Sequence, residues 1–74
     1  MNNITYPCNT AAVYQDVIFP ITLNTKHDIR SEIDLAVKWF KRWFGDKEVD
    51  ITGEMLVSFG GLYLSYEQSL RKAL

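Results

Sequence analysis

Few side chains in this sequence could do chemistry. His27 is the only histidine and Cys8 the only cysteine, so a zinc-type site, which draws several ligands from these two residue types, is short of donors. Asp46, Glu48, Asp50 and Glu54 crowd one stretch. They lack the spacing and the terminal glutamate of a calcium-binding loop and read as a solvated acidic turn. Nucleophilic catalysis needs a hydroxyl or thiol beside a base, and no nucleophile motif surrounds His27. Gly60-Gly61 has neither the further glycines nor the lysine of a phosphate loop. A non-catalytic protein without metal or cofactor is therefore expected. Cys8, after Pro7 in a polar stretch, reads as a packing thiol, and His27 as a surface residue near a helix start.

Seventy-four residues make one domain, residues 1–74, with 1–10 expected as a loosely ordered arm. So short a chain buries only about 60% of its unfolded surface, so its core is thin. The 47% apolar and 23% charged composition is that of a globular chain rather than a disordered one. A formal net charge of -1 argues against a surface built to grip phosphate. A single cysteine allows no internal disulfide, which suits a reducing, cytoplasmic setting. The opening residues show neither the basic start nor the apolar run of a signal peptide. The longest apolar stretch, 55–64, is broken by Ser58, Gly60 and Gly61 and falls far short of the roughly 18 residues a membrane span requires.

Stepping along the chain, residues 17–23 alternate as a strand. Val17, Phe19, Ile21 and Leu23 share one face, and Ile18, Pro20 and Thr22 the other. Pro20 cannot donate to a ladder, which predicts an edge strand. The alternation extends back through Ala11, Val13 and Gln15, as one long strand or as a hairpin bending near Asp16. Thr25 and Asp28 resemble a capping box, opening a helix over 26–44 that Gly45 stops. Residues 53–66 admit two readings. As a hairpin turning at Gly60-Gly61, Phe59 faces Leu62, Val57 faces Leu64 and Met55 faces Tyr66. As a helix, Met55, Phe59, Leu62, Tyr66 and Leu70 form a stripe, but two internal glycines cost about 2 kcal/mol. The hairpin is favoured, followed by a short helix from residue 67. The expected fold is α+β: an amphipathic helix on a short antiparallel sheet, in the order β-α-β-β-α.

The helix holds the most information about function. With Ile33 at zero and about 100° per residue, Val37, Phe40 and Phe44 lie within about 40° of it. Trp43 falls at about −80°, Trp39 at about −120° and Leu35 at about −160°, an apolar arc about 200° wide. One small sheet face covers roughly half of that. Leu35, Trp39 and Trp43 are then covered by the termini, through Tyr6, Tyr14 or Leu70, or they form a contact surface for another protein or a second copy. Tryptophan is over-represented among residues that carry binding energy. The acidic group Asp46, Glu48, Asp50 and Glu54 could steer such a partner.

Two functions of different class follow. The first is a regulator, inhibitor or accessory subunit that binds a protein through Leu35, Trp39 and Trp43. Compact chains of this build are common among phage and mobile-element proteins that block a host or defence enzyme, an expectation from class rather than from these residues. The second is a nucleic-acid-binding regulator using Arg30, Lys38, Lys41 and Arg42. If residues 53–73 are helical, the element order resembles a ribbon-helix-helix dimer. Pro20 in the strand, poor base readers at Ile18 and Thr22, and the negative net charge count against it.

Overall fold

The alternating first third of the chain folds as a hairpin, not as one long strand. In the computed structural model, which describes residues 4–45 and 49–72, β1 (Cys8–Tyr14) and β2 (Val17–Leu23) pair antiparallel from Cys8↔Leu23 to Tyr14↔Val17. The turn between them is Gln15-Asp16, with Gln15 at φ 56. A two-residue turn switches which parity faces inward. Ala12 and Tyr14 of β1 therefore join Ile21 and Leu23 in the core, while Ala11 and Val13 lie on the opposite face. Continuing the 17–23 pattern unbroken through Ala11 and Val13 would have placed them inside.

Helix α1 (Asp28–Phe44) follows, two residues shorter at its start than the periodicity predicts. The Asp28 carboxylate accepts hydrogen bonds from the backbone N–H groups of Asn24 (2.9 Å) and Thr25 (3.0 Å), which is the returning half of a capping box. The Thr25 hydroxyl accepts from the N–H of His27 instead of capping Asp28. At the other end Gly45 takes the left-handed conformation, φ 71, and its N–H bonds back to the Arg42 carbonyl. Lys41 and Arg42 occupy the last turn and Asp28 the first, each favouring the helix dipole.

A further short helix, α2 (Ile51–Glu54), lies where an acidic turn was expected. Asp50 caps it by accepting from the N–H of Gly53 at 3.1 Å. Strands β3 (Leu56–Phe59) and β4 (Leu62–Ser65) form the favoured hairpin at Gly60-Gly61, with Phe59↔Leu62 and Val57↔Leu64 as predicted. Tyr66 does not pair with Met55, because it opens α3 (Tyr66–Lys72). The sequence Ser65-x-x-Gln68 caps α3 reciprocally: Gln68 N–H donates to the Ser65 hydroxyl, and the Gln68 side chain accepts from Ser65 N–H.

The fold is α+β in two layers, with element order β1-β2-α1-α2-β3-β4-α3 instead of β-α-β-β-α. The sheet order is β2-β1-β3-β4 and every neighbour is antiparallel. Pro20 lies on β2, an edge strand, as its missing donor requires. The helices cover one face, and the core forms there from Ile29, Ile33, Ala36 and Phe40 of α1, Ile51, Met55, and the inward sheet residues. Ile4 and Tyr6 also pack on this core and Cys8–Thr10 belong to β1, so of the expected arm 1–10 only residues 1–3 fall outside the described chain. The hairpin at 60–61 removes the basis of the ribbon-helix-helix resemblance, which needs residues 53–73 to be helical.

Candidate interaction surface

One side of α1 has more apolar circumference than the sheet covers. Ile33, Ala36 and Phe40 are fully buried and Val37 and Phe44 partly so. This agrees with the expected sheet-facing set, with Ile29 and Ala36 added. Leu35 remains 52% exposed and Trp43 62% exposed. The expected covers go elsewhere. Tyr14 packs its ring on Phe44 (5.2 Å) and Phe40 (5.9 Å), and Tyr6 and Leu70 pack on the core.

Trp39 is half-buried, and its cover comes from the sheet: its ring meets Phe19 of β2 at 5.2 Å. The sequence placed Phe19 correctly on the inner face but offered no sign that it would reach Trp39. Trp39 also touches Phe40 at 5.5 Å, and Trp43 stacks on it with centroids 5.1 Å apart and planes 16° from parallel. Offset stacking of this kind adds about 0.5–1.5 kcal/mol beyond area burial. The aromatic chain Tyr14, Phe40, Phe19, Trp39, Trp43 thus runs from the core to solvent. Trp39 is thereby in contact on both sides, with Phe19 and with Trp43.

Phe19, Leu35, Lys38, Trp39 and Arg42 line an open groove of about 270 Å³. Its helical members have the spacing i, i+3, i+4, i+7, which brings them to one face. Apolar floor and cationic rim are therefore one structure, although the sequence reading had placed Lys38 and Arg42 in a separate basic strip. Their nearness to Leu35 was legible from the same spacing. Arg30 and Lys41 are exposed but point about 60–80° from Ile33 on the far side of the wheel, so the four cations do not converge on one strip.

The acidic candidates separate as well. Asp46 and Glu48 lie outside the described residues. Asp50 is engaged as the α2 cap and also accepts from the Thr52 hydroxyl at 3.3 Å; Glu54 is exposed at the end of α2. A β-carbon on Gly53 would come within 2.7 Å of the Asp50 carboxylate, so this cap depends on glycine at 53. His27 is exposed immediately before α1. Among the described residues no helix is long and apolar enough to cross a membrane.

Comparison with known proteins finds protein ninY of Salmonella phage P22, 40% identical over 73 residues that span 99% of each chain. No protein-family model and no solved structure matches the chain.

Proposed function

The chain belongs to the ninY family of phage proteins, and from that premise we propose that it is a non-catalytic protein that works by binding another protein. It acts as a regulator, inhibitor or accessory subunit, and the target class that suits a compact phage chain is a host or defence enzyme. The groove of Phe19, Leu35 and Trp39, with Trp43 stacked beside it, is the contact surface. The observation that carries this reading is the exposure of Leu35 and of Trp43, the latter stacked on Trp39. Lys38 and Arg42 at its rim suit a partner segment that joins a bulky apolar side chain to carboxylates, since complementary charge fixes register and speeds encounter.

The test is capture from host cells with the wild-type chain and with the Leu35→Ala/Trp43→Ala double variant, followed by a direct titration of whatever protein is captured. Recovery and affinity should both fall by about 100-fold, the scale of two interface anchors, while circular dichroism shows an intact fold. A captured protein that binds the double variant as tightly as wild type removes the groove from the function. A mobility shift of single-stranded DNA that vanishes in Trp43→Ala would assign the stacked rings to bases instead.

A further inference from the structure

The outward face of the sheet is a second unpartnered surface, and its chemistry differs from that of the groove. Strand pairing aligns Ile18, Val13 and Leu56 in one row across β2, β1 and β3. Ala11 and Pro20 pair in the next row, with Tyr63 on β4 at its far side. Ile18 is 62% exposed, Tyr63 58% and Leu56 40%. The remaining outward positions of the four strands are Asn9, Thr22, Ser58 and Ser65. None of these residues carries a charge, in a chain that is 23% charged.

We propose that this sheet face is where two copies of the chain meet. A two-fold interface lays one patch on itself, so a charge near the axis is brought close to its own copy. An uncharged face avoids that repulsion. The groove does not: pairing two grooves would bring Lys38 and Arg42 of each copy together, which favours a foreign, acidic occupant there and self-pairing on the sheet. Face-to-face contact is also the geometry that the edges leave open. One edge is β2 with Pro20, and the other is β4, four residues long; proline and short edge strands both oppose edge-to-edge pairing.

Relief and area suit the same arrangement. Small residues at 11, 58 and 65 alternate with the large side chains of Ile18, Leu56 and Tyr63, leaving hollows into which a facing sheet can interdigitate at a spacing of about 10 Å. Two strands of seven residues and two of four, about 4.8 Å apart with a rise of about 3.3 Å per residue, give a face of roughly 350 Å². Two copies then cover roughly 700 Å² in flat projection, and more once side-chain relief is counted. The flat area is below the roughly 1,000 Å² that a stable interface clears, which makes the contact a weak, reversible dimer and not an obligate one. Such a dimer presents its two grooves outward, away from the shared sheet interface.

Sedimentation velocity of the full chain from about 5 to about 500 µM, a range that brackets micromolar association, tests this with three variants. Wild type should pass from monomer to dimer across the range. Leu56→Lys and Ile18→Lys should each raise the dissociation constant by at least about tenfold, because each buries an unpaired charge in the uncharged face. Trp43→Ala should leave the dimer intact. Ile18→Lys keeps the test decisive if Leu56→Lys fails to fold, because Ile18 is on an edge strand and largely in solvent. A wild-type monomer throughout, a dimer indifferent to Ile18→Lys, or one dissociated by Trp43→Ala would each overturn the inference.

Discussion

Phe40 and Trp43 stand one turn apart on α1 and share a continuous aromatic contact chain, yet one is wholly buried and the other 62% exposed. The difference arises below the helix. The sheet supplies Tyr14 and Phe19 against Phe40, and its edge at β2 reaches only as far as Trp39. Beyond that edge no described element lies over Trp43 or Leu35. Two aromatic residues of one helix therefore do opposite work, one holding the layers together and one offering surface. What separates them is the width of a four-stranded sheet, not hydrophobicity.

The largest expected effect sharpens that contrast from the buried side. Phe40→Ala empties a site with no solvent exposure and should cost about 3–5 kcal/mol. A chain of this length has about 4–11 kcal/mol of stability in total, so the variant should lose about a quarter of it at the least and all of it at the most. Urea denaturation followed by fluorescence checks this. A Phe40→Ala domain whose unfolding free energy in urea lies within about 1 kcal/mol of wild type would mean that the core is not organised around α1.

Phe19→Ala probes the boundary, since Phe19 touches both Phe40 at 6.4 Å and Trp39 at 5.2 Å. It should cost about 2–3 kcal/mol, less than Phe40 because the side chain is only partly buried. It should also weaken partner binding, because Trp39 loses its support. Stability loss with unchanged binding would show that the groove does not depend on the sheet edge.

Both sides of this contrast were partly legible in the sequence. The helical period placed Ile33, Phe40 and Phe44 inward and left Leu35 and Trp43 over. Gly45, Pro20 and Gly60-Gly61 marked a helix end, an edge strand and a hairpin, for reasons of backbone conformation that need no tertiary knowledge. The first hairpin was harder to read because its turn is Gln15-Asp16. The positive φ there falls on glutamine, where glycine or asparagine would have signalled the bend. With a bend near Asp16 as only one of two readings, the alternation runs back through Ala11 and Val13, whereas Ala12 and Tyr14 face inward. The contact between Phe19 and Trp39 is tertiary: it depends on where the helix axis crosses the sheet, which periodicity does not encode. The Ser65/Gln68 cap, by contrast, was present as a recognisable local pattern and marks the start of α3.

Trp43→Ala should cost about 1 kcal/mol, from lost stacking on Trp39 and partial burial. For a domain of this size that is a fall in melting temperature of about 4–8 °C. Differential scanning calorimetry measures it, and a loss comparable with Phe40→Ala would reclassify Trp43 as core. The same variant should weaken partner binding by about tenfold while the domain stays folded, which is the signature that separates offered surface from packing.

Leu35→Glu has the smallest expected effect on stability and asks the most specific question about the groove. Position 35 is half exposed, leucine and glutamate have similar helix propensity, and a glutamate three residues before Lys38 gains a modest i,i+3 attraction. Stability should therefore stay within about 0.5 kcal/mol of wild type. Binding should not. The new carboxylate removes an apolar anchor, weakens the field of Lys38 and Arg42, and repels a partner that brings its own carboxylates. An affinity loss that exceeds that of Leu35→Ala, and narrows as salt is raised, identifies the partner segment as acidic. Equal losses for the two variants at every salt concentration make the contact purely apolar, and tighter binding by Leu35→Glu reverses the sign of the partner's charge.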